Sequence, residues 1–397
     1  MRILSIPALA ILLAIPASAQ RPEVGAQDRA AHARMIVLDT HLDIPARFDD
    51  GRWDFGQRHR YDQDRSQVDL PRMAAGGLDG GFFVIFTRQG ELNPAGYAAA
   101  RDAALVRAAA IHRVIGENRG AMGLALSAAD AERLHRAGRR IAFISMENSW
   151  PLGEDLSLLA SFRRLGVRMA GPVHSRTNQL ADSATGEARW RGLSPLGRLW
   201  VAEMNRLGMV IDVSHSSDAA FDQMVEQSRV PIIASHSGPK AIFGHPRNLD
   251  DARMRRLARA GGVLFMNSIY LVQHDNSPER DANNDRHERW AELSPAERRQ
   301  LIADTAALDA RRPYTTADFD LFMRALLHAV AVMGADHVGL GADWDGGGGV
   351  VGMEDIAALP RITARLRRER MSEADIARIM GGNLLRVLRQ VQAGAGP

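Results

Sequence analysis

The stretch MVIDVSHSSDAAFDQMVEQSRVPIIASHS, residues 209–237, contains two apolar runs with a helical pattern between them. Each run is short, rich in Val and Ile, and leads into the same tripeptide, Ser-His-Ser. Apolar residues in a nearly continuous run are typical of a strand that is buried on both faces. The stretch therefore predicts two parallel strands joined by a helix, with His215 and His236 at their carboxyl ends.

The same unit recurs along the chain. Helical patterns separate the apolar runs, and Ser194 followed by Pro195 predicts a helix start. Eight strands alternating with helices predict an α/β fold, a single (β/α)8 TIM-type barrel over residues 20–397 rather than several domains. The predicted strands are residues 35–38, 81–86, 141–146, 167–173, 209–214, 231–235, 263–267 and 337–342.

Two regions depart from this repeat. Residues 274–318 are rich in Asp, Glu, Arg and Asn and lie between the seventh and eighth predicted strands. We expect a polar helical insertion there, either a fixed excursion or a mobile lid over the barrel. The tail at 354–391 carries two helical patterns and predicts C-terminal helices.

The first residues predict export. Arg2 precedes an apolar run at 3–15, and Ala17-Ser18-Ala19 follows it. This order is typical of a signal peptide over residues 1–19, cleaved near Ala19/Gln20, so that the mature chain is periplasmic or secreted. An uncleaved membrane anchor is the alternative. The short run, interrupted by two prolines, argues against stable membrane insertion of the mature chain.

Composition excludes several functional classes. Basic and acidic residues number 50 and 47, and no dense basic run with interleaved aromatic residues occurs, so nucleic acid is not an expected partner. The chain has no cysteine, which rules out disulfides, thiol nucleophiles and thiolate metal ligands.

Chemistry in such barrels takes place at the carboxyl ends of the strands. One His, Asp or Glu at a strand end is most simply a structural histidine, a turn former or a helix cap. Here six of the eight predicted strands end in such residues, and that repetition predicts a metal site. The residues are His41 with Asp43, Glu147, His174, His215, His236 and Asp343.

Three histidines, one aspartate and one glutamate form a donor set that suits zinc. Five ligands are too many for one catalytic zinc ion with three protein ligands, but they suit two ions that share a carboxylate. Glu147 is the natural bridge. A modified lysine bridge is not expected, because Lys240 is the only lysine and lies four residues beyond His236.

Several short motifs are spread over most of residues 30–390. They are DTHLDIP at 39–45, AFISMENS at 142–149, GLSPLG at 192–197, NRLGMVIDVSH at 205–215, PIIASHS at 231–237, Arg-Asn at 247–248 and GLGADWDG at 339–346. Through these motifs the chain resembles the membrane (renal) dipeptidase family of the metal-dependent amidohydrolase superfamily. One departure concerns the residue after Glu147, which is often glycine in the family and is Asn148 here.

This resemblance implies a role for each site residue. His41 and Asp43 bind the first Zn²⁺, and His215 and His236 bind the second, with Glu147 and a water or hydroxide bridging the two ions. His174 contacts the substrate and steadies the oxyanion, Arg247 binds the C-terminal carboxylate of the substrate, and Asp343 carries the proton and meets the substrate's amino end. The resemblance also implies a homodimer, although no interface is readable in the sequence.

The predicted function is that of an exported zinc-dependent dipeptidase, which cleaves small dipeptides, including L-Xaa-D-Xaa, by attack of a metal-bridging hydroxide. Another reaction of the same metal pair, hydrolysis of a lactone or phosphoester, is the alternative, and a non-catalytic binding protein is a third. On sequence alone, Arg247 could equally form a surface salt bridge. Asp345 is interpreted as a loop cap, and Trp53, Phe55 and Tyr61 as pocket walls or core residues.

Overall fold

The computed structural model describes residues 24–396, and the signal peptide predicted at residues 1–19 lies outside that range. Within the range are nine strands, one more than predicted. The strands are β1 (Leu38–Leu42), β2 (Gly80–Phe86), β3 (Met122–Leu124), β4 (Arg140–Glu147), β5 (Val167–Ala170), β6 (Val210–Ile211), β7 (Ile233–Ser237), β8 (Val263–Met266) and β9 (Val338–Leu340).

Eight of these strands form a parallel barrel. One sheet runs β1-β2-β4-β5-β6 and the other runs β7-β8-β9. Parallel bridges join the two sheets at both seams, Asp212 with Ile233 and Leu42 with Trp344. The ninth strand, β3, pairs beside the start of β4 and is not part of the ring. The predicted (β/α)8 fold is therefore confirmed, with one short strand added.

Several strands differ from their predicted bounds. The first strand covers Leu38–Leu42 rather than 35–38, because only its later residues reach β2, where Leu38 and Asp39 pair with Gly80 and Gly81. Strands β5 and β6 end at Ala170 and Ile211, earlier than predicted. The residues that follow leave the barrel wall and carry His174 and His215 toward its mouth.

The base of the barrel is closed by apolar packing. Side chains from several strands form one buried cluster with the C-terminal helix, and in this cluster the rings of Phe82 and Phe143 stack with their centroids 5.1 Å apart. Glu147 lies four residues after Phe143 on β4, so that both face the interior. Hydrophobic packing thus fills one end of the barrel and leaves the other to polar side chains.

Fifteen α-helices surround the barrel or follow it in the range that the structure describes. They are α1 (Ala26–His32), α2 (Tyr61–Asp64), α3 (Leu70–Gly76), α4 (Pro94–Glu117), α5 (Ala128–Arg136), α6 (Leu158–Arg164), α7 (Pro195–Leu207), α8 (Asp218–Gln227), α9 (Asp251–Arg259), α10 (Pro278–Glu288), α11 (Pro295–Arg311), α12 (Phe319–Met333), α13 (Pro360–Arg368), α14 (Glu373–Ala377) and α15 (Asn383–Ala393). Among residues 24–396, no helix combines the length and the apolar character needed to cross a bilayer.

Residues 274–318 contain α10 and α11 and lie between β8 and β9. The segment is held against the loop that follows β1. Arg298 pairs with Asp50, and Arg65 pairs with Asp309 at 2.8 Å. The guanidinium of Arg47 also lies 4.2 Å from the ring centroid of Trp290. In this conformation these contacts hold the two helices against that loop.

Candidate metal centre

Glu147, the last residue of β4, lies at the centre of the polar cluster in the barrel mouth. Its Oε1 atom is 3.0 Å from His215 Nε2 and 3.4 Å from His236 Nε2. Its Oε2 atom is 3.5 Å from His41 Nε2, which in turn is 3.4 Å from Asp43 Oδ2. The two oxygens of one carboxylate therefore face two different sets of donors.

The remaining predicted residues lie around this core. His174 Nε2 is 3.9 Å from Glu147 Oε1, and Asp343 is close enough to His41 and Asp43 for the three to form a possible ligand group. All seven predicted donor residues thus meet in one cluster. Two other groups also have metal-site geometry, namely His41 with Glu147 and His236, and Glu147 with His174 and His215.

The donor set fits a pair of divalent ions. The Nε2 atoms of His215 and His236 are only 2.8 Å apart, and both are buried. Ring nitrogens this close must share either a proton or a cation, and a cation that accepts both lone pairs suits the same arrangement. Nitrogen and carboxylate ligands without sulfur are those expected for zinc and its first-row neighbours.

Protonation in the metal-free protein follows from burial and charge. Burial lowers the pKa of both His215 and His236 well below the usual histidine value, so these rings are neutral. Burial has the same tendency at His41, but the carboxylates of Asp43 and Glu147 outweigh it and raise the pKa of His41 well above its usual range. Burial would raise the pKa of Glu147, yet the neighbouring histidines bring it well below its usual value.

Several site residues adopt the left-handed backbone conformation that non-glycine residues rarely adopt. The φ angles of Asn148, His215 and Asp343 are all +68°. Asparagine is among the few non-glycine residues that tolerate this region, which suits Asn148 to its position. Strain of this kind concentrates at functional sites, because the surrounding fold must hold it in place.

The loop after β9 brings backbone against two carboxylates. A Cβ atom added at Gly346 would lie 2.1 Å from Asp43 Oδ2 and 2.2 Å from Asp343 Oδ1. Only glycine fits there without moving both side chains.

Burial raises the pKa of Asp343 well above its usual value. Asp345 accepts a hydrogen bond from the Gln67 backbone N–H at 2.9 Å, in keeping with its predicted loop role.

Arg247 lies inside the protein beside the cluster, which argues against the surface salt bridge left open above. Its side chain is buried and donates to the carbonyl oxygen of His236 at 3.1 Å. Its guanidinium also lies 5.1 Å from the ring centroid of Tyr270. The Nε atom has no hydrogen-bond partner within residues 24–396, so the group retains a free donor.

Sequence reasoning missed two residues behind the cluster, Asp212 and Ser235. The Ser235 hydroxyl lies 2.8 Å from His236 Nδ1 and donates to Asp212 Oδ2 at 2.6 Å. A polar residue inside an otherwise apolar strand run was the available signal. Conversely, Trp53 and Phe55 pack with Phe48 in the core rather than line the mouth.

Comparison with known proteins identifies the family of the chain. Residues 26–396 match the family model described as membrane dipeptidase, Peptidase family M19. The chain belongs to this family. The family assignment predicted from the sequence is confirmed, and membership places the chain among the hydrolases of peptide bonds.

Individual relatives carry the same description. The chain is 31% identical to dipeptidase aclJ of Aspergillus oryzae over 353 residues, which is 85% of this chain and 75% of that protein. It is 33% identical to dipeptidase tcpJ of Claviceps purpurea over 274 residues, which is 68% of this chain but only 56% of that protein. It is similar in structure to the probable dipeptidase PvdM of Pseudomonas aeruginosa, with 29% identity, a TM-score of 0.80, and coverage of 94% of this chain and 99% of that one.

Proposed function

We propose that this protein is an exported zinc-dependent dipeptidase that hydrolyses the peptide bond of small dipeptides, including those with a D-residue at the carboxyl end. One observation carries the proposal. The two oxygens of Glu147 face separate donor sets, at 3.0–3.5 Å, beside a buried arginine that has a free donor. Membership of the dipeptidase family supports the same substrate class.

In this proposal His41 and Asp43 hold one zinc ion, His215 and His236 hold the other, and Glu147 lies between them. Bound zinc supplies a water-derived nucleophile at neutral pH and a Lewis acid for the substrate carbonyl. The protein residues around the ions supply orientation, proton transfer and charge stabilisation.

Arg247 binds the free carboxylate of the substrate. A guanidinium matches a carboxylate with two parallel hydrogen bonds, and burial strengthens such a pair by removing competing water. Because the clamp lies beside His236, a bound carboxylate is held a short distance from the reacting carbonyl. A substrate with a further residue at this end would place the wrong group at the clamp, which favours dipeptides over longer peptides.

Asp343 moves the proton. Burial raises its pKa well above the usual aspartate value, which favours the protonated form that a proton donor needs. It takes the proton from the attacking water and delivers it to the nitrogen of the leaving amine. The peptide C–N bond breaks as the nitrogen receives that proton.

His174 stabilises the carbonyl oxygen as negative charge develops on it. Burial lowers the pKa of His174, so the ring is neutral and donates through one nitrogen only. The Ser175 hydroxyl lies 3.0 Å from Nδ1, and a donor there leaves the ring proton on Nε2. The Nε2–H group faces the mouth and donates to the developing oxyanion.

The test is a panel of L-Xaa-L-Xaa and L-Xaa-D-Xaa dipeptides, their C-terminal amides and a tripeptide, assayed before and after chelation. Cleavage of the free dipeptides alone, lost on chelation and restored by zinc, supports the proposal. Equal cleavage of the amides would contradict the carboxylate clamp. Activity on lactones or phosphoesters without dipeptide cleavage would replace the proposed reaction.

Export rests on the predicted signal peptide and is tested separately. The full-length chain, expressed in a Gram-negative bacterium, is fractionated and the periplasmic form is analysed by mass spectrometry. A mature protein that begins at Gln20 supports the proposal. Retention of residues 1–19 on a membrane-associated protein would favour the uncleaved anchor.

A further inference from the structure

His236 is supported from behind by two residues that do not belong to the ligand set. Ser235 Oγ lies 2.8 Å from His236 Nδ1 and 2.6 Å from Asp212 Oδ2. All three residues are buried, so water does not compete for these contacts. Asp212 also bridges to Ile233 at the seam between β6 and β7, which ties its position to closure of the barrel.

The direction of these hydrogen bonds follows from counting protons. Asp212 Oδ1 accepts the backbone N–H groups of Ser214 at 2.9 Å and Ser235 at 2.8 Å. Its Oδ2 atom accepts the single hydroxyl proton of Ser235. The Ser235 oxygen is then left as an acceptor for His236 Nδ1–H, which leaves Nε2 without a proton and facing Glu147.

The other two ligand histidines lack this support. The Nδ1 atoms of His41 and His215 are buried and have no hydrogen-bond partner within residues 24–396. Of the three histidines, only His236 has a hydrogen-bond partner at Nδ1 among the described residues, and this partner sets its tautomer from behind. A second hydrogen bond of this kind generally raises the affinity of a histidine for its metal.

We propose that Asp212 and Ser235 are positioning residues that prepare His236 for one of the two zinc ions. The inference rests on the proposed zinc function. It goes beyond that function by assigning the affinity of one half of the centre to a serine and an aspartate that touch neither the metal nor the substrate.

The proposal predicts that Asp212→Asn changes the tautomer of His236. The oxygen of an asparagine would stay with the two backbone N–H groups, so its NH2 group would face Ser235. The serine oxygen would accept from that group, and its own proton would turn to His236 Nδ1. The ring proton of His236 would then move to Nε2, the atom needed for the metal.

The experiment measures zinc affinity of the metal-free protein by competition with a fluorescent chelator, and its thermal unfolding in parallel. We expect Ser235→Ala to weaken one of the two zinc sites by about 10- to 100-fold and to leave the other unchanged. Asp212→Asn should weaken that site at least as much, although asparagine has nearly the same shape as aspartate. Ser235→Thr, which keeps the hydroxyl, should bind zinc like the wild type.

Ser145→Ala is the matched control, since Ser145 is also a buried barrel serine but its hydroxyl has no partner among the described residues. Zinc affinity of Ser235→Ala equal to that of Ser145→Ala would overturn the inference. So would equal losses in Ser235→Thr and Ser235→Ala, because they would show that packing and not the hydroxyl matters. A wild-type protein that binds no zinc would instead overturn the proposed metal centre itself.

Discussion

Two segments of this protein have the same sequence, Ser-His-Ser at 214–216 and at 235–237, and differ in structure. His236 lies within β7, and Ser235 meets its ring at Nδ1. His215 lies beyond the end of β6 with a φ angle of +68°, and its Nδ1 atom has no hydrogen-bond partner in the described part of the chain. The preceding Ser214 instead accepts the backbone N–H of His236 at 3.1 Å.

The difference shows that backbone conformation, rather than local sequence, decides which histidine is held in advance. In the second segment, folding alone orients the ligand. In the first, the ring is fixed by its contacts with Glu147 and with the other donors, and a bound ion would complete them. Of the two histidines proposed for this ion, one is therefore prepared by the protein, and the other depends more on the metal.

The largest effect is expected from Glu147→Gln, which removes the shared charge that both segments face. Because metal assistance supplies several kcal/mol of transition-state stabilisation, kcat/KM for a dipeptide should fall by at least about 1,000-fold. Glu117→Gln, at an exposed glutamate on α4, serves as the control and should have no effect. Dipeptide cleavage by Glu147→Gln within tenfold of the wild type would contradict the bridging role.

Gly346→Ala should sharpen the comparison, because it acts on Asp43 and Asp343 rather than on either segment. The added Cβ would displace Asp43 and Asp343, whose carboxylate oxygens lie only 2.1–2.2 Å from its position. A displacement of this size at a reacting group costs about 100-fold in rate, while the two flexible side chains can move without unfolding the protein. Enzyme kinetics checks the expected loss of rate, and thermal unfolding checks that the protein stays folded.

Gly116→Ala provides the comparison for that variant, since no atom lies within 4 Å of an added Cβ at this position. If Gly346→Ala proves as active as Gly116→Ala, the close approach of the loop to the carboxylates is not needed for catalysis, and the prediction is wrong.

Arg247→Ala should have the next largest effect. The guanidinium donates to the backbone of the second segment, at His236, and its Nε atom has no hydrogen-bond partner among the described residues. In the proposed function this group binds the substrate carboxylate. Loss of a charged hydrogen bond costs about 1.5–3 kcal/mol, so kcat/KM for free dipeptides should fall by about 10- to 100-fold. Residual cleavage of the C-terminal amides should be unaffected, and an equal loss on both substrates would contradict the clamp.

The smallest effect concerns pH. His41 is protonated in the metal-free protein, because the carboxylates of Asp43 and Glu147 outweigh burial and raise its pKa well above the usual range. Zinc must displace that proton, so affinity at this half of the centre should rise by up to about tenfold per pH unit across the neutral range. Burial lowers the pKa of His215 and His236, so both rings are already neutral before the ion binds. Zinc affinity at their half should therefore change less with pH.

Zinc titrations of the metal-free protein at pH 6, 7 and 8 measure how the zinc affinity of each site changes with pH. Equal pH dependence at the two sites would show that the halves do not differ in protonation.

Much of the fold was predictable because buried parallel strands leave unbroken apolar runs, and their carboxyl ends must meet at one end of a barrel. The strand faces on which His41 and His236 lie were not predictable from apolar runs. Strict alternation would put Leu38 and His41 on opposite faces of β1, and the same holds for Ile233 and His236 on β7. Register irregularities in both strands turn these histidines inward.

Other features were hidden for different reasons. Strand β3 is three residues long and contains Gly123, so it has no period to detect. The pairing of Ser235 with Asp212 depends on closure of the barrel between β6 and β7, and residues 23 positions apart leave no local pattern. The left-handed conformation of His215 is likewise imposed by the fold and not by its own sequence.

Native mass spectrometry of the zinc-reconstituted protein tests the central claim most directly, because it counts the ions on each chain. The account predicts two zinc ions per chain in the wild type and fewer than two in Glu147→Gln. A wild-type protein that binds one zinc ion or none, or a Glu147→Gln variant that still binds two, would contradict a centre in which this carboxylate serves both halves.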